Sequence, residues 1–159
     1  MDTASTASVM THFLMRLHAP LAAPDQLTST LLVFHPRDGG TVEGPGLHGT
    51  IISPTGDWVR VMPNGNMKID VRMTLRMDNG DLVFMSYGGI LKKPDAASWQ
   101  RFTSGEAIRA PEWYYVITPV FETASTKYAW LNDVQAIGTF TSIQTGTAAH
   151  VSFDVFAVQ

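Results

Sequence analysis

The sequence predicts an all-β fold with one short helix, and three observations carry that prediction. Turn signals recur along the chain at Gly39-Gly40, Gly44-Pro45-Gly46, Pro54-Thr55-Gly56, Pro63-Asn64-Gly65 and Asp78-Asn79-Gly80. The runs between them are rich in Val, Ile, Thr and aromatic residues, and strands repeated at about 8–12-residue spacing build a sandwich or a barrel. Residues 67–77 alternate strictly, with Ile69, Val71, Met73, Leu75 and Met77 against Lys68, Asp70, Arg72, Thr74 and Arg76. That period of two belongs to a half-buried strand.

The elements follow in order. Residues 1–9 are small, polar and terminal and are expected to be disordered; with no Lys or Arg ahead of the short apolar stretch 13–17, they do not read as a signal peptide. Segments 12–18 and 31–34 are candidate strands, and 42–53 reads as a further pair broken at Gly49. A meander follows at 57–62, 67–77 and 81–87, its connections carrying Asn64-Gly65 and Asn79-Gly80, dipeptides suited to tight hairpin tips. Pro94-Asp95 starts the helix, Ala96, Trp99 and Phe102 recur near helical spacing, and Gly105 stops it, which places the helix at 95–104. Segments 113–118, 135–142 and 150–158 supply the last strands. In the final one Val151, Phe153, Val155 and Ala157 alternate with Ser152, Asp154, Phe156 and Val158. No linker divides the chain, so 10–159 is read as a single domain.

Composition excludes several functions. With 159 residues, 45% of them hydrophobic and 16% charged, the chain is long and apolar enough for one domain with its own core. It has no cysteine, which removes zinc fingers, disulfides and thiol chemistry. The net charge is −3 and Lys92-Lys93 is the one adjacent basic pair, so the electrostatic footprint of a nucleic-acid binder is missing. No apolar run approaches the roughly 18 residues of a membrane helix. These features point to a cytoplasmic protein.

Candidate chemistry is sparse. His12, His18, His35, His48 and His150 are scattered without ligand spacing, and no metal site is assigned. No glycine-rich phosphate loop opens a helix, and no serine sits in a nucleophile elbow. No cofactor is expected. Asp70 and Arg72 leave the same face of one strand about 6.6 Å apart, either as a charged surface pair or as the lining of a partly polar lumen. Between 113 and 130 the chain concentrates Trp113, Tyr114, Tyr115, Phe121, Tyr128 and Trp130, which suits a core or a pocket for a flat hydrophobic ligand. Glu122, Asn132 and Asp133 interrupt that segment. Glu43 and His48 stand in the glycine-rich stretch, where solvation alone would account for them.

Together these motifs resemble a known family. Gly39-Gly40-Thr41-Val42-Glu43-Gly44-Pro45, Leu47, Gly49, Gly56-Asp57-Trp58 and Asp70-x-Arg72, followed by Asp78-Asn79-Gly80, Tyr114-Tyr115, Pro119, Phe121-Glu122-Thr123, Tyr128 and Trp130-Leu131-Asn132, resemble domain of unknown function 3237 from Phe13 to Val158. Two departures are Asn64-Gly65 in place of the usual Asp-Gly, and the missing basic residue soon after Gly88-Gly89. The resemblance implies a closed antiparallel β-barrel with a central cavity, lipocalin-like or allene-oxide-cyclase-like. It implies that Glu43, Trp58, Asp70, Arg72, Glu122, Trp130 and Asn132 line the cavity; Tyr87, Tyr115 and His48 are further candidates for substrate binding. Fungal members are associated with hetero-Diels–Alder reactions of quinone methides derived from tropolone or phenol precursors with terpene alkenes.

The expectation is therefore a cofactor-free enzyme acting on a hydrophobic, oxygen-bearing small molecule. Arg72 would donate to the substrate oxygen, Asp70 would orient it, Trp58 and Trp130 would form walls, and Glu122 or Glu43 would act as general acid. A carrier of the same fold is the alternative. A structural module would have a filled barrel and no cavity. A homodimer is expected because the apolar face of 69–77 would need cover if Asp70 and Arg72 point inward.

Overall fold

The computed structural model describes residues 7–159. The elements are β1 (Thr11–Pro20), β2 (Asp25–Gln26), β3 (Leu31–Phe34), β4 (Thr41–Gly44), β5 (Leu47–Val61), β6 (Met67–Met77), β7 (Leu82–Leu91), α1 (Ala96–Thr103), β8 (Ile108–Arg109), β9 (Tyr115–Glu122), β10 (Ala136–Gln144) and β11 (His150–Val158). Eight strands close into an antiparallel barrel in the order β5-β4-β1-β11-β10-β9-β7-β6 and back to β5. β2 and β3 extend the sheet along the second half of β5, and β8 lies on β10. Closure leaves no free edge along the barrel wall. Of the expected 1–9 stretch, residues 1–6 lie outside the described residues and 7–10 carry no regular element.

The strict alternation of β6 decides which side faces in. Ile69, Val71, Met73, Leu75 and Met77 are buried, because the barrel interior is the one place where five apolar side chains escape water together. Asp70 and Arg72 therefore project from the outer wall, their side chains 57% and 61% exposed and 3.7 Å apart. This corrects the expectation that they line the lumen. The apolar face of β6 is covered by the barrel's own interior, so that argument for a second subunit falls.

β5 is longer than its sequence suggests. Its two halves read as separate strands, but the turn before it falls at Pro45-Gly46, with Gly46 at φ +67, and Gly49 lies inside the strand. Between Ile52↔Thr74 and Gly56↔Arg72 the register slips. Thr55 Oγ1 donates to the Ile52 carbonyl at 2.8 Å and accepts from Thr74 N–H at 3.0 Å, while Thr74 Oγ1 donates to the Pro54 carbonyl at 2.7 Å. This bulge bends β5 from its pairing with β4 to its pairing with β3, as bulges at barrel corners do.

Gly44 closes β4 against β1. A Cβ there would lie 2.0 Å from the Leu14 carbonyl oxygen, so Gly44→Ala is expected to force the two backbones apart at a cost of about 1–3 kcal/mol. Urea denaturation checks this: the midpoint should fall, and an unchanged midpoint would mean that the strands separate freely.

α1 is capped by Asp95, whose carboxylate accepts from Ser98 N–H at 2.8 Å, so the helix occupies the expected segment less its two caps. β9 starts later than expected and runs on through Pro119 to Glu122, leaving Trp113 free to pack below α1. One end of the barrel is plugged by Tyr128 and Leu131, each 1% exposed, with the Tyr128 hydroxyl donating to Asp78 at 2.5 Å. Met73, Leu75, Met85, Phe140 and Phe153 fill the middle. The other end holds a cavity. Among the described residues no helix is long and apolar enough to cross a membrane.

Candidate functional site

The cavity lies where β1, β5, β7 and β10 end and β6, β9 and β11 begin, and it encloses about 370 Å³. Its walls are apolar, with Leu32 and Phe34 from β3, Val59 from β5, Ile69 from β6, Tyr115 from β9 and Ile143 from β10. Trp99, Phe102 and Trp113 overhang it. These three rings pack on one another at centroid distances of 5.1–6.1 Å, and the Trp113 indole N–H donates to the buried Ser98 hydroxyl at 2.8 Å. Helix and Trp113 thus form one fixed roof. An apolar hollow of this size with a few placed polar groups is the ordinary form of a small-molecule site.

Among the described residues, the one ionisable carboxyl on its lining is Asp57. The residue pairs with Val71 on β6 and Phe34 on β3, and in antiparallel pairs opposed side chains share a face. Asp57 therefore points inward with Val71, in phase with Val59. Part of it is reachable from the cavity, but its Oδ1 is shut off and has no hydrogen-bond partner. Burial pushes the carboxyl up to about 7, opposed by a hydrogen bond from the Asp70 backbone amide. At neutral pH the group is therefore shared between acid and carboxylate.

Two tyrosines complete the surroundings. Tyr87 belongs to the same cross-strand row, Asp57–Val71–Tyr87, and Tyr115 lies further round on β9. Both phenols are held well above their usual range by burial and then by the facing Asp57 charge. Phe153 packs edge-on against both, its ring centroid 6.2 Å from that of Tyr87 and 4.9 Å from that of Tyr115.

Of the residues expected at the site, Tyr115 lines the cavity and Tyr87 lies buried close to Asp57. The others are elsewhere. Trp58 is on the opposite face of β5 from Asp57, its ring folded over Gly56. Glu43 and His48 form an exposed pair 3.4 Å apart. Glu122 is exposed at the end of β9. Trp130 is 43% exposed on the plug. Asn132 braces the chain, its Oδ1 accepting from Thr123 N–H at 2.8 Å and its Nδ2 donating to the Thr123 carbonyl at 3.0 Å. The general-acid expectation for Glu122 and Glu43 fails on geometry, since neither lines the cavity.

Residues 9–158 match the sequence profile described as Protein of unknown function (DUF3237). The chain belongs to the DUF3237 family. A UPF0311 protein of Clostridium acetobutylicum is 30% identical over 96 residues, a match that spans 60% of this chain and 60% of that relative. The fold of this DUF3237 chain is similar to a crystal structure of a conserved protein of unknown function from Rhodopseudomonas palustris, with a TM-score of 0.82 at 22% identity, covering 97% of this chain and 100% of that one. It is also similar to a crystal structure of an enzyme from Penicillium herquei, with a TM-score of 0.60 at 18% identity over 98% of each chain. These likenesses bear on the fold. Asp57 itself stands in the Gly56-Asp57-Trp58 run on which the family resemblance rests, yet the motif by itself did not single it out. The available signal was its phase: Asp57, Val59 and Val61 alternate with Trp58 and Arg60, so an acid occupies an inward position.

Proposed function

We propose that this DUF3237 protein is an enzyme that binds a hydrophobic, oxygen-bearing small molecule in the barrel cavity and promotes its cyclisation or cycloaddition by acid catalysis from Asp57. The observation that carries the reading is the buried carboxyl of Asp57 on the lining of an apolar cavity. Burying it costs stability, whereas a ligand oxygen hydrogen-bonded to the part of the carboxyl that the cavity reaches would offset that cost. The description of the Penicillium herquei relative as an enzyme agrees with this reading.

The chemistry follows from the protonation state. A protonated Asp57 donates to a carbonyl or quinone-methide oxygen and stabilises the charge that develops there. With an ortho-hydroxybenzyl alcohol it would protonate the leaving hydroxyl, which departs as water, and then recover a proton from the phenol. The quinone methide is thereby formed without oxidation or reduction. Apolar walls hold a terpene alkene against the heterodiene, and such alignment can contribute as much as about 7–11 kcal/mol. An acid titrating near neutrality is suited to giving and regaining its proton.

The test is incubation of an ortho-hydroxybenzyl alcohol and a terpene alkene with wild-type protein, with Asp57→Asn, and with no protein. The expected result is a faster reaction with an altered product ratio, and a loss of about 10²-fold or more in Asp57→Asn while ligand quenching of tryptophan fluorescence persists. Binding with the uncatalysed rate and product ratio would instead identify a carrier, and no binding of either compound would overturn the substrate class.

A further inference from the structure

The outer wall formed by β6, β7 and β9 carries groups that the barrel itself does not use. Phe84, Ile90 and Val120 are 40%, 44% and 41% exposed, and Ile137 on neighbouring β10 continues the surface. In their midst Gly88 stands between Asp70 and Thr118 in the cross-strand register. Because it has no side chain, it leaves a shallow dent of about 240 Å³ lined by Asp70, Arg72, Phe84, Ser86, Thr118 and Val120. Exposed apolar side chains therefore flank a polar, charged centre, a grouping unlike the scattered single hydrophobics of an ordinary exterior.

We propose that this wall is the interface of a two-fold symmetric dimer, and that its occupant is a second copy of the same chain. Charge supports that choice. Asp70 and Arg72 carry opposite charges two residues apart on one strand, and their approach to each other at 3.7 Å leaves both more than half exposed. A two-fold axis through the dent runs the two β6 strands antiparallel, so Asp70 of each copy faces Arg72 of the other and the patch becomes complementary to itself. A uniformly acidic or basic partner would meet one attractive and one repulsive charge. The cavity opens at the end of the barrel and the dent lies on its side, so pairing leaves both cavities accessible. Asp70 and Arg72, which the sequence places together, thereby acquire a role in assembly.

Sedimentation velocity across the micromolar range tests the inference on five proteins. Wild type should sediment as a dimer. Asp70→Arg and Arg72→Asp should each weaken association at least tenfold, because each places like charges opposite one another. The double variant D70R/R72D should restore the dimer, since it exchanges the signs on both copies. Phe84→Lys is the independent variant and should give a monomer with an unchanged circular dichroism spectrum. A monomeric wild type, or charge variants that all dimerise as wild type does, would overturn the proposal.

Discussion

Asp57→Asn is expected to stabilise the unliganded protein at pH 8 by as much as about 4 kcal/mol. The native carboxyl titrates near 7 against 3.8 for the free group, a difference of about 3 pKa units at 1.36 kcal/mol each. Below about pH 4 the acid is protonated in both the folded and the unfolded chain, and burial carries no charge penalty. As pH rises toward 7 the unfolded chain releases its proton while the folded one keeps it, so stability declines across that window. Above it the full cost of a charge facing an apolar cavity is present, reduced to the extent that cavity water reaches the second oxygen. Asparagine carries no charge and removes the slope. At roughly 2–4 °C per kcal/mol for a domain of this size, Tm at pH 8 should rise by about 10 °C, with little change at pH 4. Parallel pH profiles for the two proteins would show that the carboxyl is solvated.

The second large effect is expected at Phe153. This side chain is fully buried and its ring packs edge-on against both Tyr87 and Tyr115. Phe153→Ala removes the ring from a site that cannot collapse, because the neighbouring strands are fixed in a closed barrel, and should cost about 3–5 kcal/mol. The hole opens beside the cavity, so water gains a route toward Asp57 and its carboxyl should move back down toward the ordinary range. Urea unfolding gives the first quantity and a carboxyl titration the second. A loss under about 1 kcal/mol would mean that the tyrosines close over the gap.

Much of the fold was legible because it rests on periods and turns. The alternation of β6 places each of its side chains on the correct face once the barrel is closed, and α1 is delimited by its own cap and stop residues. What was hidden depends on tertiary pairing. β5 read as two strands because Pro54 and Thr55 look like a turn, and only the hydrogen bonds to Thr74 on β6 show that they form a bulge within one strand. The site was hidden for a related reason. Charged pairs such as Asp70 and Arg72 draw attention by spacing, yet their phase against five apolar neighbours sends them outward. Asp57 has no charged companion at strand spacing in the sequence, and only its phase in β5 places it at the cavity. Likewise the resemblance puts Trp58 and Trp130 at the cavity, while the aromatic roof is built by Trp99 and Phe102 on the helix and Trp113 packed against it.

Acid catalysis in this cavity requires Asp57 to be a shielded acid that is half-protonated at neutral pH. Carbon-detected NMR titration of the side-chain carboxyls, with Asp57→Asn as the assignment control, measures this directly. One carboxyl should show a midpoint near 7, well separated from the rest, and move when an oxygen-bearing ligand enters the cavity. A midpoint for Asp57 among the ordinary carboxylates, unmoved by any such ligand, would contradict it.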